Sequence, residues 1–411
     1  MTNKLLRFLL IIALLMPLPV LASTPLQVYV DDLPLSFDVP PLIQEGRVLV
    51  PFRKIAERLH LNVEWEEKTQ TVKASSPTTT LLLKIGSKIA VHNDQEIELD
   101  VPPQIIEART LIPLRFFGET FGNEVAYQAG MVKIKTPPQK MLVSAFYALG
   151  SKTASSWTNL FTREYPETNQ GHTDLVGEIA LGWYSLDKEG NLLTRSTTGW
   201  QKPSGWLDVL TAAKKYDLHT EMVVHLTDTN SQLSNLIANP HAVEKAVKNI
   251  AEAAILYDGV NLDFEGLGWR ESGETLRQTQ INFTRFVKQL AEKLPEHTLT
   301  LTLHPLNSAY LGYDYEALNH YCDTMIIMAY DYGPKPEPIK QVNEAIEKAL
   351  TFVPPQKLIL GISLPSETAA SLPAKIGLVK AHNLKGIALW RLGLVTPEMW
   401  SVLKSEIKLR M

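Results

Sequence analysis

From residue 141 onward, short apolar runs alternate with amphipathic stretches. Eight runs have strand character: Met141–Tyr147, Glu178–Tyr184, Thr220–Leu226, Asp258–Glu265, Leu299–His304, Thr324–Tyr330, Lys357–Ile362 and Gly386–Trp390. Helical patterns separate most of them. Asn239-Pro240 and Thr396-Pro397 each give a capping side chain followed by proline at a first helical position. Only Ser155–Glu164 offers a helix for the first crossover. Eight strands alternating with helices over roughly 270 residues predict an α/β fold, a (β/α)8 TIM barrel. A doubly wound open sheet is the competing arrangement.

A different rhythm occupies residues 25–137. Asp38-Val39-Pro40-Pro41 recurs as Asp100-Val101-Pro102-Pro103, and Arg47-Val48-Leu49-Val50-Pro51-Phe52-Arg53 recurs, at the same offset, as Arg109-Thr110-Leu111-Ile112-Pro113-Leu114-Arg115. An amphipathic stretch follows each block, Phe52 to Leu59 and Leu114 to Phe121, and then a short strand pair such as Asn62–Trp65 with Thr71–Ala74. The pattern predicts a duplicated small α+β domain in front of the barrel. This segment resembles the domain named after the N-terminal part of copper amine oxidases. Its only two histidines, His60 and His92, and its lack of cysteine are too few ligands for copper. A stalk or wall-binding module is the expectation, with its repeated arginines structural. Lys135–Lys140 is expected to be a proline-stiffened linker.

Before the repeat, Lys4 and Arg7 precede the apolar run Phe8–Met16, and Val20-Leu21-Ala22 supplies small residues at a cleavage position. Residues 1–22 therefore read as a secretory signal peptide, and the chain as a secreted one. The formal net charge of −4 carries no basic field for nucleic acid. Cys322 is the single cysteine, expected to be buried and inert. The ten histidines are dispersed and no HExxH occurs, so neither a metal nor a cofactor is expected.

The stretch Asp258-Gly259-Val260-Asn261-Leu262-Asp263-Phe264-Glu265 carries the chemistry. Strand alternation puts Val260, Leu262 and Phe264 on one face and Asn261, Asp263 and Glu265 on the other. In a barrel the second face points to the axis, where Val, Ile or Leu would be structural. Two carboxylates there are costly without a purpose, and the C-terminal ends of barrel strands are where active sites lie. Glu265 is the candidate proton donor, with a pKa expected to be raised by desolvation and its acidic neighbour. Asp258 has the opposite parity and reads as support for the strand start.

This stretch resembles the signature of family 18 glycoside hydrolases, Asp-x-x-Asp-x-Asp-x-Glu on the fourth barrel strand. Asp258, Asp263 and Glu265 match it, while Asn261 stands where most chitinases carry Asp. Met328-Ala329-Tyr330-Asp331 and Trp390 agree with two further blocks of the family. Asn261, together with Gly182–Leu192, is similar to a subgroup of bacterial spore and cell-wall glucosaminidases that act on peptidoglycan. The resemblance implies a retaining mechanism in which the substrate's own 2-acetamido oxygen attacks the anomeric carbon. Glu265 would be the acid, Asp263 would orient the acetamido N–H, Tyr330 would bind its carbonyl, and Trp390 would floor the sugar. Tyr147, Trp183 and Asp331 are expected to line subsites, and Asn261 to hold Asp263 ionised. The implied partner is a polysaccharide, peptidoglycan or a chitin-like glycan, with attachment to the wall through the N-terminal domain. The rival reading is a catalytically inactive amino-sugar-binding, lectin-like wall protein.

Overall fold

The computed structural model describes residues 26–410 apart from 129, 149–154 and 197–198. The leader expected at 1–22 lies outside the described residues. No helix among them is long and apolar enough to cross a membrane. The chain forms two compact units, one running to Val30 and over Pro34–Lys135, the other over Asp31–Leu33 and from Thr136 onward.

The first unit is the doubled motif. Leu42–Gln44 and Arg47–Pro51 form a hairpin, Phe52–Arg58 is a helix, and Asn62–Glu66 with Thr71–Ser75 forms a second hairpin. The second copy repeats this with Gln104–Ile106, Arg109–Pro113, the helix Leu114–Thr120, and Glu124–Gln128 with Met131–Lys135. The two copies join where the Arg–Pro strands pair antiparallel, Leu111 against Pro51 and Pro113 against Leu49. Both helices turn their apolar faces inward, so that the Phe52 and Phe117 rings meet edge to face at 5.5 Å. The repeated arginines answer each other: Arg47 binds Asp100 and Arg109 binds Asp38, both at 2.6 Å. These pairs are exposed, so they register the two copies more than they stabilise them.

The second unit is a closed parallel barrel of eight strands: β1 (Leu142–Tyr147), β2 (Glu178–Leu186), β3 (His219–Thr227), β4 (Gly259–Glu265), β5 (Thr298–Leu303), β6 (Thr324–Ile327), β7 (Leu358–Ser363) and β8 (Gly386–Trp390). Each pairs in parallel with the next, and β8 returns to β1 with Leu142 against Gly386 and Ala145 against Leu389. That last pairing excludes the open sheet. Small and branched side chains, among them Ala180, Val223, Ile326, Ile359 and Ala388, pack the interior with the ring of Phe146. The opposite strand faces pack on the helices.

The helix starts follow their caps. Asn239 accepts from the backbone N–H groups of His241 and Ala242 ahead of Pro240–Ala254, and Thr396 accepts from Met399 ahead of Pro397–Glu406. Among the described residues, the first crossover holds the six-residue helix Ser156–Phe161 and no longer one. The stretch expected as a linker is held by the barrel unit, since Gln139 bridges Ile407 in parallel. Cys322 is buried, and burial pushes its thiol up to about 12.

Two local departures from expectation matter for the mouth. β6 is shorter than the apolar run suggests, ending at Ile327 rather than Tyr330. Met328 keeps one ladder bond to the Leu303 carbonyl at 2.9 Å, then Ala329 and Tyr330 turn back on Ile327 and Met328. Asp331 follows at φ 64°, a left-handed conformation that Asp tolerates. The strand therefore ends in a bend at the barrel mouth.

Closure makes a demand at the β8–β1 seam. Gly386 lies against the backbone of Leu142, where a β-carbon would overlap the carbonyl group. Gly386→Ala should destabilise the barrel by about 1–3 kcal/mol, the usual range for overpacking. Urea unfolding of the variant is the measurement, and an unchanged midpoint would contradict the seam's tightness.

Candidate active site

The site is built outward from β4. Val260, Leu262 and Phe264 are fully buried on its outer face. Phe264 packs on Phe283 and Phe286 of the helix Gly273–Lys293, at 6.1 and 5.5 Å between ring centroids. Those contacts anchor the strand, so its other face is fixed toward the axis. Asp258, just before the strand, accepts from the backbone N–H and the hydroxyl of Thr220 at 2.8 and 2.7 Å, tying the start of β4 to β3.

Along the inner face the polar groups form a column. At its base, the carboxylate of Glu221 accepts from the Asn261 amide at 3.0 Å and from the Thr300 hydroxyl. The Asn261 carbonyl in turn accepts from Thr302 at 2.8 Å. This corrects the role expected of Asn261. It is fully buried below the cleft and gives its amide to Glu221 rather than to Asp263. The physical reason is the neighbouring strand. Glu221 is a wholly buried carboxyl whose oxygens need donors, so it takes the nearest amide; burial raises its pKa well above the usual range, and the hydrogen bonds from Thr300 and Asn261 oppose that rise.

Asp263 sits above this pair, 2% exposed, and its Oδ1 has no hydrogen-bond partner. Burial, and then the negative charge of Glu265, raise its pKa from 3.8 to about 7. Glu265 closes the column at the mouth. Burial pushes its carboxyl upward, but the hydrogen bond and charge of His225 and the charge of His304 outweigh this, and the net value falls below the ordinary one. The raised pKa expected of Glu265 therefore lies instead on Asp263, because Asp263 is the deeper, unpartnered carboxyl and Glu265 is the one held by imidazoles. Of the two carboxyls, Asp263 is the one that keeps a proton to the higher pH.

The mouth is a cleft of about 910 Å³. Asp263, Glu265, Tyr330, Asp331 and Trp390 all line it, so five of the eight side chains picked from the sequence converge. Trp390 is braced by Phe146 and Trp200, with ring centroids 5.1 and 5.2 Å away. Glu337 accepts from the backbone N–H groups of Asp331 and Tyr332 at 3.0 and 3.1 Å, holding the bend after β6. Trp269, 53% exposed after β4, stands at the rim and bridges to Tyr310.

Tyr147 and Trp183 do not reach the cleft. Both are buried in the layer between strands and helices, packed edge to face at 6.4 Å. Their parity explains it: Tyr147 follows Val143 and Ala145 outward, and Trp183 follows Ile179 and Leu181. Being near a strand end was not enough.

Two histidines that were not among the candidates picked from the sequence belong to the site. Nε2 of His225 lies 3.3 Å from Oε1 of Glu265, and Nε2 of His304 lies 3.9 Å from Oε2. The signal was present: Glu221, Val223 and His225 share the inner face of β3, as Asn261, Asp263 and Glu265 share that of β4. Among the described residues two groups of three His or acidic side chains also gather, Glu178 with His219 and Glu221 at the floor, and His225 with Asp263 and Glu265 at the mouth. In each, donor atoms lie within 4.8 Å of one another.

The titration of Asp263 has a sign. Its folded pKa is raised, so between about 4 and 7 the folded chain holds a proton that the unfolded chain has lost. Stability should decline as pH rises through that window, and Asp263→Asn should flatten the decline and leave the protein more stable than wild type above pH 7. Urea unfolding at a series of pH values checks this; parallel curves for the two proteins would refute it.

Comparison with known proteins agrees with this geometry. Residues 140–369 match the model for glycosyl hydrolases family 18, and residues 29–136 match that for a copper amine oxidase N-terminal domain. A cortical fragment-lytic enzyme of Bacillus anthracis is 26% identical over 184 residues, covering 38% of this chain and 41% of that protein. Its namesake in Bacillus subtilis (strain 168) is 24% identical over 266 residues, covering 46% and 60%. The chain thus spans less than two thirds of these relatives. Among solved structures, the Bacillus cereus spore cortex-lytic enzyme SleL superposes with a TM-score of 0.54 at 17% identity, covering 69% of this chain and 78% of that one. A chitinase from Chromobacterium violaceum ATCC 12472 superposes at 0.53 and 18%, covering 65% and 98%. At these identities the superpositions speak for the barrel alone, but the family model spans more than half of the chain, and the chain belongs to the glycosyl hydrolases family 18.

Proposed function

We propose that this protein is a secreted β-N-acetylglucosaminidase that cleaves peptidoglycan, spore cortex in preference to chitin, by a retaining, substrate-assisted mechanism. The observation that carries the reading is the inward carboxyl pair of β4, Asp263 and Glu265, opening with Tyr330 and Trp390 on one cleft. The cortex-lytic names of the relatives support the choice of polymer.

In this reading the sugar lies on Trp390 with its acetamido group turned toward Asp263 and Tyr330. The unpartnered oxygen of Asp263 accepts the acetamido N–H, an interaction otherwise missing from a buried carboxyl. The Tyr330 hydroxyl donates to the acetamido carbonyl and so fixes its oxygen beneath the anomeric carbon. That oxygen forms a bond to the carbon as the glycosidic bond breaks, and Glu265 gives its proton to the departing oxygen. The cyclised sugar then opens when Glu265 takes a proton from water and the resulting hydroxide attacks the same carbon. The proton borrowed in the first step is returned in the second. Asp331 borders the same cleft and contributes to binding, and Trp269 offers a platform at the rim.

Glu265→Gln should keep the fold and bind the glycan while losing at least about a hundredfold in kcat, the usual scale of general acid catalysis. Turnover of a chromogenic chitobioside is the assay, and wild-type rates in the folded variant would overturn the assignment. De-N-acetylated glycan should be inert, and mass spectrometry of muropeptides after digestion identifies the bond cut by its new reducing end.

The N-terminal unit is proposed to hold the enzyme on insoluble wall. Exposed aromatic side chains stand at matching places of its two copies, Trp65 and Tyr127. Trp65→Ala with Tyr127→Ala should leave turnover of the soluble chitobioside unchanged and slow release from intact wall, through lost local concentration. Equal release by both proteins would show that the unit does not target the wall.

A further inference from the structure

The acid of the site has a neighbour that the mechanism above does not use. β3 and β5 flank β4, and each brings an imidazole to the Glu265 carboxylate, His225 at 3.3 Å and His304 at 3.9 Å. His304 has a second attachment, its ring stacked on Tyr310 with centroids 4.1 Å apart. His225 has none of that kind. Its Nδ1 is buried without a hydrogen-bond partner. A histidine placed for packing or register normally anchors that second nitrogen to a carbonyl or carboxylate. Among the described residues, the polar contact of the ring is through Nε2, to the proton donor itself.

Resting on the glycosidase reading, we propose that His225 is a positioning residue for the acid: its Nε2 and Oε1 of Glu265 share the one proton that the leaving oxygen needs. The pair has two arrangements of that proton, imidazolium with carboxylate and imidazole with carboxylic acid. Water in the open cleft favours the charged arrangement. A glycan filling the cleft removes that water, and separated charges lose most by desolvation. The proton then crosses from Nε2 to the carboxyl, Glu265 passes one proton to the glycosidic oxygen as the C–O bond breaks, and the second step returns one from water. No proton is consumed over the cycle.

The groups that face His225 are few. β4 presents Asp263 and Glu265, and His304 of the β5 side reaches the other oxygen of Glu265. On the β2 side, Tyr184 stands opposite Val224, and its hydroxyl is engaged by Lys202 and Tyr257. Asp228, beyond the end of β3, is turned onto Ser234. Burial alone would lower the His225 pKa, yet the hydrogen bond that Nε2 donates to Glu265 and the charges of both acids leave it raised. The pair should therefore keep its proton to a higher pH than a lone carboxyl would.

The experiment has two arms. The first is the pH dependence of kcat and KM for His225→Gln, which keeps an N–H donor but cannot hold the proton. The basic limb should move to lower pH by about one unit or more and kcat at pH 8 should fall at least about tenfold, with KM changed less than about twofold. A merely structural histidine would lower activity at every pH and leave the limb in place, and that result overturns the proposal. The second arm uses the full chain without substrate. NMR titration of the histidine side chains in wild type and Glu265→Gln should show the His225 midpoint dropping when the Glu265 charge is removed. An unmoved midpoint overturns the pair whether or not His225→Gln folds. Lack of turnover by wild type would instead overturn the glycosidase reading, which separates the two failures.

Discussion

Burying carboxyl groups along the axis of a barrel is the constraint from which the rest of the site follows. Glu221, Asp263 and Glu265 rise from floor to mouth, and each avoids the cost of a naked buried charge differently. Glu221 is enclosed by the Asn261 amide and the Thr300 hydroxyl. Asp263 has no such enclosure, and its pKa is raised to about 7, toward the neutral acid, instead. Glu265 meets two imidazoles at the edge of water. Glu221 with both oxygens bonded, Asp263 with one left open and Glu265 paired at the mouth distinguish what is structural from what is poised to act. An unsatisfied buried oxygen at Asp263 is tolerable only if something arrives to satisfy it.

The fold was largely legible because a closed barrel repeats one rule eight times. All eight strands lie where the apolar runs lie, and the caps at Asn239 and Thr396 act as their sequence suggests. The duplicated unit was equally plain, since a repeat in sequence is a repeat in space. The end of β6 was not legible. Nothing in Met328-Ala329-Tyr330 breaks the apolar run; the turn there is held by Glu337, which grips the backbone beyond it. A strand terminated by a later side chain leaves no local signal.

At the site, legibility followed how far strand alternation was applied. It was used on β4, and Asp263 and Glu265 converge as expected. It was not used on β1 and β2, where Tyr147 and Trp183 were judged by nearness to strand ends and lie in the outer layer. Nor was it used on β3, where it would have put His225 on the inner face beside β4. Which carboxyl keeps the proton was beyond reach of any pattern. That depends on hydrogen bonds from β3 and β5, and those require knowing which strands are neighbours.

The departure at Asn261 can now be understood in those terms. The family signature usually has Asp at that position, so a single substitution seems to remove one acid from the column. The adjacent strand carries Glu221, whose carboxylate lies 3.0 Å from the Asn261 nitrogen. An aspartate at 261 would bring two carboxylates into that contact, and they could share it only by holding a proton between them. With an amide there, the floor is complete without that proton, since Asn261 donates to Glu221 and accepts from Thr302. Asparagine thus removes one titrating group from beneath the site, and the acid–base behaviour of the mouth is left to Asp263, Glu265 and the two histidines. Burial raises the pKa of Glu221 below, so the floor favours the neutral acid, and the charged partner of Glu265 comes from the imidazole on β3 instead.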